Sequence, residues 1–514
     1  MVGDMTTRSV GVPGDAAAFA WFIGWWPHAL ENGLNPLRMS VVWAPDGITA
    51  AWATGVPSLA LAAWPLTALA GPIVSVNVLM LLAPALAAFT MYMLARDLVG
   101  GRLFALPAGL LFGFSAFVHS HMLGHLNLAF VALIPLAPWA ALRVARGVWS
   151  RRRGVVVLGA VVGVQLGVSS ELALLGTVFG VIACAVAWLL ERSTRDAIRR
   201  IVAIAVPGWL LGALVASPLL VAQLRAGPIG WHPARRQDSQ DLLGLVVPDS
   251  TFLLSPLDGV SDGFTSSLAE RGAYISVFGV LVLMALFVVR DGRPARCLVP
   301  VLGLAAFVLS LGPVLHVAGI EFSVPLPSAA FIVTPVMEYA VSGRFGLFLA
   351  LAVALGSALL LAARPRQWWA TALVAGACLV LVPDLASPRW APAETPAALR
   401  STEVVPAGAR VVLLPVTEGM RWQAVTGYRY TQVGGYTGVI LPPAYRPWRD
   451  VVDGLYGIAP PPNAERLDAY LRAFGAERVV IGPGGAAVVA DALASRGWRV
   501  VQRDGVLVVD PPPG

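Results

Sequence analysis

The sequence contains no lysine and few charged residues of any kind. All 36 basic residues are therefore arginine, and charged residues make up 13% of the 514 positions, against 57% for hydrophobic residues. A soluble domain carries about 25% charged residues. This deficit, with a mean hydropathy of +0.74, excludes a soluble globular protein and predicts a polytopic membrane protein. The net charge of +7 is then attributed to arginines that set the membrane topology, and no nucleic-acid partner is expected.

Cysteine is scarce as well. Cys184, Cys297 and Cys378 all fall inside apolar runs, and no CxxC pair is present. The sequence therefore excludes a disulfide framework and a cysteine-based metal motif. The three thiols are predicted to be buried and to act as small hydrophobic groups.

Long apolar runs dominate the middle of the chain. A membrane span needs roughly 17–25 apolar residues. The predicted spans are residues 74–95, 103–118, 127–142, 154–170, 172–190, 201–222, 274–290, 297–315, 345–363 and 368–386. The apolar region 48–71 is interrupted by Pro57, Pro65 and the Gly71–Pro72 pair, and is predicted to form an interfacial or re-entrant helix.

Arginine predicts the orientation of these spans. Every second connection is short and basic; the arginines concerned are Arg96 and Arg102, Arg143, Arg146 and Arg151 to Arg153, Arg192 to Arg200, Arg290 to Arg296, and Arg364 with Arg366. The positive-inside rule places these connections in the cytoplasm. The outer side then receives the N-terminal segment, the loops 119–127, 169–171, 224–272 and 316–344, and the C-terminal region. We expect a multi-pass protein of the plasma (inner) membrane whose polar groups face outward.

This topology places the N-terminus outside, although Met1–Val12 contains no apolar segment that could deliver it there. Two explanations are open. A first transmembrane helix is missing before Met1, or region 48–71 spans the membrane and leaves the opening segment in the cytoplasm. We favour the missing helix, because the Trp-rich opening segment suits the outer membrane surface.

After Pro388 the composition changes to that of a small α/β domain. Strands are predicted at 409–416, 478–481, 498–502 and 506–510, helices at 464–474 and 487–495, and a Tyr-, Gly- and Pro-rich loop region at 431–462. The predicted fold class is mainly α, a helical transmembrane bundle with a small extracytoplasmic α/β domain. The predicted domains are an outer loop with interfacial helices at 1–73, a transmembrane core at 74–386 that includes the outer loop 224–272, and the α/β domain at 387–514.

Asp15 is the first candidate for chemistry. It precedes an amphipathic segment that contains Trp21 and Trp25, which we expect at the level of the lipid headgroups. A carboxylate there could act as a general base toward an acceptor hydroxyl, or could hold a metal ion. The alternative is an ordinary helix N-cap, since Asp often precedes an apolar helical run.

Four further groups of outer residues are candidates for substrate or metal binding. His119, His121 and His125 with Asn127 could bind a metal, a sugar or a phosphate, or could simply end a span; His125 is the strongest candidate. Glu171 lies between two apolar helices, where an acid is costly, or at a solvated hairpin tip.

Arginines of the outer loops could clamp a lipid phosphate, because the guanidinium fork matches phosphate oxygens. Arg235 and Arg236, with Glu270 beside Arg271, lie in the loop 224–272, which could equally be a solvated loop with incidental ion pairs. Arg344 lies at the outer end of a span and could be a phosphate clamp or a snorkelling anchor.

Together the motifs resemble the bacterial GT-C-type membrane glycosyltransferases, and more narrowly their YfhO-like branch. The matching pieces run in order over residues 14–350: Gly14-Asp15 ahead of Trp26-Pro27, Gly33 to Pro36, Pro45-Asp46-Gly47, Asn77, Arg96, Gly124 to Asn127, Ser239 to Leu243 ahead of Pro248, Ser310 to Pro313, and Gly343 to Phe345. The resemblance implies a catalytic acid in the first outer loop, the place that Asp15 occupies, and adds Asp46 to the candidate substrate-binding residues.

The resemblance also implies an activity. Such enzymes take a sugar from a polyprenyl-phosphate carrier and pass it, with inversion, to a glycan, lipid or protein acceptor outside the cytoplasm. No cofactor is certain, and a divalent metal ion is a candidate. Two other functions are considered: a transporter or flippase of lipid-linked saccharides, which would need ionisable residues deep in the spans, and a non-catalytic assembly protein of the cell envelope.

Overall fold

The computed structural model describes residues 4–12, 14–227, 239–289, 294–387, 390, 393–437 and 441–512. The chain divides into two compact units. The terminal unit comprises Met1–Val78, Leu219–Gly230 and Ala391–Gly514, and the helical unit comprises Leu79–Pro218 and Trp231–Trp390. The opening segment and the C-terminal α/β region thus fold together.

Apolar helices make up most of the helical unit. Its α-helices are Arg102–Gly113, Ala116–His121, Leu126–Ala129, Leu136–Ala145, Arg151–Val168, Ser170–Leu190, Arg195–Val215, Asp258–Ser261, Ser276–Val288, Ala295–Ser310, Gly346–Ala363 and Trp368–Leu379. Short 3₁₀ helices occur at Arg192–Thr194, Leu243–Leu245, Leu268–Glu270, Pro327–Val333, Met337–Tyr339 and Ser342–Phe345. A hairpin pairs Val314–Val317 with Ile320–Pro325. Helices Pro57–Val99 and Ser217–Ala226 carry the chain from one unit into the other.

Within the described ranges, five helical segments are long and apolar enough to cross a membrane. They are Pro57–Val99, Arg102–His121, Ser170–Leu190, Arg192–Val215 and Ser342–Ala363. Four shorter apolar helices accompany them: Leu136–Ala145, Ser276–Val288, Ala295–Ser310 and Trp368–Leu379. The chain therefore has the helices of a multi-pass membrane protein.

The helix Pro57–Val99 is broken where the sequence predicts an interruption. Gly71 has φ 85° and ψ 169°, a backbone conformation open to glycine at little cost, and it separates a helix at 57–70 from one at 72–99. Pro72 then begins the second helix, at a position where its missing N–H costs nothing.

Three predicted spans are divided between two helices. The segment 103–118 contains Arg102–Gly113 and the start of Ala116–His121, which are separated at Phe114 and Ser115. The segment 127–142 contains the end of Leu126–Ala129 and the start of Leu136–Ala145, because the helix stops at Phe130 (ψ 67°) and the next one begins only after Pro135. The segment 201–222 contains Arg195–Val215 and Ser217–Ala226, which are separated at Ala216. The cysteines also differ from expectation: Cys184 and Cys378 are half-buried, and Cys297, in the helix Ala295–Ser310, is exposed.

In the terminal unit, the opening helix Asp15–Glu31 is almost entirely buried. Trp21 and Trp25 are 0% exposed and their rings stack at a centroid distance of 5.1 Å. The indole of Trp21 donates to Gln423 Oε1 at 2.7 Å, and the Tyr428 hydroxyl donates to the carbonyl oxygen of Trp21 at 2.6 Å. These tryptophans therefore lie in a protein core, where a buried indole N–H needs a partner, instead of at the headgroup level.

The α/β region of the terminal unit is built on a five-stranded sheet. Its strand order is Arg499–Arg503, Val506–Asp510, Arg478–Ile481, Arg410–Leu414 and Thr431–Gln432; the first two pairings are antiparallel and the other two parallel. The α-helices of this region are Val416–Val425, Arg449–Leu455, Ala464–Ala473 and Val488–Ala494. Val411 to Leu414 form an uninterrupted buried run, as a strand covered on both faces requires.

Short pairings fasten the N-terminal segment to the rest of this unit. Arg8–Ser9 pairs with Ala393–Glu394, and Arg38–Met39 pairs with Ile48–Thr49. Asn77, one of the residues on which the family resemblance rests, donates to the carbonyl oxygens of Met5 and Arg8 and accepts from the Val10 amide at 2.7 Å. A buried amide side chain with three partners holds this segment in one register.

Candidate functional site

Asp15 is the first residue of its helix, and Gly14 occupies the N-cap position with φ 122° and no side-chain cap. The N-cap alternative for Asp15 is therefore not what the structure contains. Its carboxylate lies at the positive end of the helix dipole, which favours the charged form.

The partner of Asp15 comes from the far end of the chain. The hydroxyl of Tyr436 donates to Asp15 Oδ1 at 2.5 Å. Burial, and then the negative charge of Asp15, raise the pKa of Tyr436 well above its usual value. The phenol therefore stays protonated at any physiological pH and acts only as a donor. One oxygen of Asp15 is therefore held by a neutral donor.

The loop that carries Tyr436 is fixed by Trp43. The Trp43 amide donates to the carbonyl oxygen of Gly434 at 2.8 Å, and its indole donates to Thr437 Oγ1 at 2.9 Å. Gly435 lies so close to Val42 that an added Cβ would be 2.9 Å from the valine Cβ. Two anchors and a close backbone approach therefore leave Tyr436 little freedom of position.

Asp46, the other acid of this segment, lies in an exposed turn. The turn is closed by the Gly47 amide, which donates to the carbonyl oxygen of Trp43 at 3.0 Å, and Arg38 donates to the carbonyl oxygen of Asp46 at 3.3 Å. Asp46 thus shares the support of Trp43 with Tyr436, and its substrate-binding role stays a prediction.

The helical unit contains a second, more highly charged cluster. Arg344 donates from Nη2 to Glu270 Oε1 at 2.6 Å and from Nε to Glu270 Oε2 at 3.2 Å, and its Nη1 pairs with Glu171 Oε2. The second oxygen of Glu171 accepts from the Val341 amide at 2.8 Å. The three side chains are 5–21% exposed, so they form a largely buried ion-pair network.

Three helix ends bring these residues together. Glu171 lies in the first turn of Ser170–Leu190, Glu270 ends a 3₁₀ helix, and Arg344 lies in the 3₁₀ turn that leads into Gly346–Ala363. Gln240 fixes the Glu270 backbone by donating to its carbonyl oxygen. Glu171 is therefore not a solvated hairpin tip, and Arg344 is not a snorkelling side chain.

His121 and His125 complete the cluster. His121 is 1% exposed; its Nδ1 bonds the carbonyl oxygen of Phe117 at 2.7 Å, so Nδ1 carries the proton, and Nε2 faces Glu270 Oε2 at 3.4 Å. In a neutral imidazole this places a nitrogen lone pair against a carboxylate oxygen. His125 Nδ1 lies 3.9 Å from the other Glu270 oxygen. A positive charge between these groups, either a proton on Nε2 or a metal ion, would remove the repulsion.

The charges of the network point the same way. When both carboxylates are ionised, two negative charges and one guanidinium leave a formal net charge of −1 in a buried place. Burial alone would raise the pKa of Glu270, but Arg344 and then His121 hold it well below its ordinary value. Glu270 is therefore ionised at neutral pH and too weak a base to abstract a proton there.

The donor set fits a metal ion. One donor atom each of His121, His125 and Glu270 lies within 4.8 Å of the others. Ligands about 2.1 Å from a tetrahedral zinc ion are about 3.4 Å apart, so these atoms need only a small closure. Two imidazoles with one carboxylate suit zinc better than magnesium, which prefers oxygen ligands. No cofactor is established, and a bound metal would share Glu270 with Arg344.

Of the predicted site residues, the structure brings His125, Glu171, Glu270 and Arg344 together, whereas Asp15 and Asp46 lie in the terminal unit. Arg235 and Arg236 fall outside the described residues. His119 is separate from the cluster: its Nε2 bonds Thr251 Oγ1 at 2.9 Å and its ring packs on Phe252 and Trp390. Sequence reasoning missed Tyr436, for which the Tyr-rich character of 431–462 was the available signal.

The family model described as "Domain of unknown function (DUF6311)" matches residues 10–386. The chain belongs to this family. No curated protein matches the chain.

Solved structures share its fold. The apo oligosaccharyltransferase of Archaeoglobus fulgidus has a TM-score of 0.55 at 13% identity, covering 93% of this chain and 66% of its own. ArnT from Cupriavidus metallidurans, bound to undecaprenyl phosphate, has a TM-score of 0.51 at 13% sequence identity. The match covers 99% of this chain and 96% of the ArnT chain. The mycobacterial arabinofuranosyltransferase AftD has a TM-score of 0.53 at 16% sequence identity. The match covers 99% of this chain and 38% of the AftD chain.

These likenesses concern the fold, and this chain spans less than two thirds of the archaeal enzyme and of AftD. They confirm the predicted fold class: a mainly helical GT-C-type membrane architecture with a small C-terminal sheet region. Membership of the YfhO-like branch stays a prediction.

Proposed function

We propose that this protein is a membrane glycosyltransferase that moves a sugar from a polyprenyl-phosphate donor to an acceptor outside the cytoplasm. The observation that carries the proposal is a carboxylate, Asp15, held by the neutral Tyr436 at the start of the opening helix of a GT-C fold. Its oligosaccharyltransferase and arabinofuranosyltransferase neighbours support the reaction class, and the undecaprenyl phosphate on ArnT supports the donor class.

In the proposed reaction Asp15 accepts the proton of an acceptor hydroxyl. The acceptor oxygen attacks the anomeric carbon, and the bond from that carbon to the phosphate oxygen breaks. The electron pair of the broken bond stays on the phosphate, so polyprenyl phosphate leaves. Attack opposite to the leaving phosphate inverts the anomeric centre. The bond from Tyr436 fixes the orientation of the Asp15 carboxylate.

The cluster of the helical unit can bind the phosphate end of the donor only when the cluster itself carries an added positive charge. Arg344 is already bound by Glu171 and Glu270, and the trio has a net charge of −1. A divalent metal held by His121, His125 and Glu270 would reverse that charge to +1 and supply electrostatic stabilisation of a phosphate oxyanion. Arg235 and Arg236 are proposed to contact the phosphate directly.

The remaining specifics are proposals as well. From the alternation of basic connections we propose that the C-terminal α/β region lies outside the cytoplasm, beside the acceptor, which is a glycan, lipid or protein of the cell envelope. Ion pairs of the cluster lie at helix ends, not in mid-span as a flippase or transporter would need.

The test uses membranes containing the full chain and undecaprenyl phosphate linked to radiolabelled hexoses or pentoses. Asp15→Asn is expected to lower label transfer by about 10³-fold, within the range of general-base losses. The matched control is Asp491→Asn, an exposed carboxylate on Val488–Ala494, which should leave transfer unchanged.

Other outcomes separate the rival functions. Full transfer by Asp15→Asn would remove the base assignment. Movement of intact donor across the membrane without loss of its sugar would indicate a flippase. If no donor reacts or moves, while both variants support normal envelope assembly in cells, the protein is an assembly factor.

A further inference from the structure

A separate polar site lies where arginine collects in the helical unit. The apolar segment Arg102–His121 has 20 residues and consists of the helix Arg102–Gly113 and, after a break at Phe114 and Ser115, the short helix Ala116–His121. His121 belongs to the cluster described above, and Arg102 begins the opposite end. The predicted cytoplasmic connections meet at that end.

Two adjoining cavities occur there. One has a volume of about 320 Å³ and is lined by Arg96, Asp97, Gly100, Arg102, Arg143, Arg146 and Val148. The other, of about 390 Å³, shares Asp97, Gly100 and Arg146 with it and is otherwise lined by Leu98, Val99, Pro294, Ala295 and Leu359. Four arginines (+4) and one aspartate (−1) give the first cavity a formal charge of +3. We call the joined cavities the arginine groove.

The arginines of the groove are held in place, which distinguishes them from the solvated arginines of an ordinary cytoplasmic loop. Asp97, with 12% of its side chain exposed, accepts from Arg96 at 3.1 Å and from Arg143 at 3.0 Å. Arg146 donates to the carbonyl oxygens of Asp97 and Leu98. One carboxylate and two carbonyls thus preorganise three guanidinium groups while neutralising only one of them.

Donor capacity is left over for a ligand. Among the described residues Arg102 makes no side-chain hydrogen bond or ion pair, and Arg143 Nε is buried without a hydrogen-bond partner. Guanidinium groups with free N–H donors bind phosphate oxygens bidentately. The groove therefore suits a phosphate monoanion or dianion better than a carboxylate-free sugar or a cation.

The surroundings of the groove indicate that the phosphate belongs to a lipid. The Arg143 guanidinium carbon lies over the rings of Trp139 and Trp149, at 5.9 and 5.5 Å from their centroids. Tryptophan favours the headgroup level of a bilayer. Directly beyond Arg102, Leu103 is 76% exposed, and Leu106 and Leu110 lie along the same helix with 52% exposure each. An apolar, exposed stripe next to a basic cavity can accept acyl chains.

We infer that the arginine groove binds the phosphodiester headgroup of an anionic phospholipid, with the acyl chains along the stripe of Leu103, Leu106 and Leu110. This site is independent of the proposed transfer reaction, because it lies at the opposite end of the span from the His121 cluster. Binding there would fasten helices Arg102–Gly113, Leu136–Ala145 and Ala295–Ser310 to one leaflet.

The experiment measures thermal unfolding of the full chain in neutral detergent against three probes: dioctanoyl phosphatidylglycerol, dioctanoyl phosphatidylcholine and inorganic phosphate. Phosphatidylglycerol is expected to raise Tm saturably, and the other two are not. Arg102→Gln should weaken the apparent affinity about fivefold, and the double variant Arg102→Gln/Arg146→Gln more than tenfold. Among the described residues Arg102 has no side-chain hydrogen bond or ion pair to lose, so its variant is expected to keep the fold.

Arg192→Gln is the matched control. Arg192 is an exposed arginine of another basic connection and does not line the groove. The Arg192→Gln variant should bind phosphatidylglycerol with the same apparent affinity as the parent. Equal weakening in Arg192→Gln would mean a diffuse basic rim and would overturn the site. An equal Tm rise with phosphatidylcholine, or with inorganic phosphate alone, would overturn the assignment to an anionic lipid headgroup.

Discussion

The two units hold their acidic groups in opposite ways. In the terminal unit, Asp15 accepts a hydrogen bond from the neutral hydroxyl of Tyr436. In the helical unit, Glu171 and Glu270 share Arg344 and form a buried ion-pair network. A carboxylate with a neutral donor remains available to accept a proton, whereas one bound bidentately by a guanidinium is a poor base and a good structural or metal ligand.

The difference assigns separate tasks to the two units. The terminal unit supplies the candidate base and fixes it with the loop that Trp43 anchors. The helical unit supplies the ion-pair network of Glu171, Glu270 and Arg344. The net charge of the cluster depends on whether His121 and His125 bind a proton or a metal ion. Loss of a charge from the ion-pair network should mainly lower the stability of the protein. Loss of the Tyr436 hydroxyl that donates to Asp15 should mainly lower turnover.

The largest effect is expected from Arg344→Met. It leaves Glu171 and Glu270 buried without their cation, and breaking a buried pair in this way costs about 3–5 kcal/mol of unfolding free energy. Equilibrium unfolding in mixed micelles measures the loss. Arg366→Met, an exposed arginine, is the control and should stay within about 0.5 kcal/mol of the parent.

A companion variant sharpens this result. Arg344→Met combined with Glu270→Gln removes one negative charge together with the positive one, and should recover part of the lost stability. Equal stability of the parent, Arg344→Met and Arg366→Met would show that the network does not hold these helix ends together, and the contrast between the units would disappear.

A smaller effect is expected from metal binding. If His121, His125 and Glu270 hold zinc, zinc at 100 times its Kd stabilises the parent by about 2.7 kcal/mol. His121→Ala should abolish this shift. His119→Ala should retain it, because His119 bonds Thr251 outside the cluster. The readout is the zinc-induced change in Tm, so a lower starting stability of either variant does not obscure it.

The opposite result is equally informative. A parent whose Tm is unchanged by zinc, manganese or cobalt would contradict the metal proposal. The charge between His121 Nε2 and Glu270 would then be a proton, and the cluster would remain an ion-pair network without a metal.

Hydropathy and arginine predicted the helical architecture well, because membrane spans need long apolar runs and their flanks are read by charge. They failed at 127–142, where one helix stops at Phe130 and the next begins only after Pro135, although hydropathy averages the run into one span. The break at Gly71 was predictable, since a glycine followed by proline is a strong local signal.

The candidate site could be predicted only in part. The alternation of arginine placed Glu171, Glu270 and Arg344 on one side, which made their meeting reasonable. Which groups pair is another matter: Arg344 lies 173 and 74 residues from its two partners, and Tyr436 lies 421 residues from Asp15. Such contacts depend on loop conformation and helix packing, which leave no periodic signal in a single sequence.

The smallest effect, and the most specific, is expected from Tyr436→Phe. The variant removes only the hydroxyl that donates to Asp15 Oδ1, so the carboxylate is less well oriented and its charged form less favoured. Turnover should fall about tenfold, equivalent to about 1.4 kcal/mol, with little change in KM, and the acidic limb of the kcat profile should move to higher pH.

Tyr428→Phe provides the matched control for this variant. The Tyr428 hydroxyl donates to the carbonyl oxygen of Trp21 in the same unit, so its loss costs a comparable hydrogen bond without touching Asp15. This control should lose stability but keep the parent's pH profile. A shift of the acidic limb in both variants would mean that general loosening of the unit, and not the bond from Tyr436, sets the behaviour of Asp15. A shift in neither, together with an inactive Asp15→Asn, would leave the base in place but remove Tyr436 as its positioning residue.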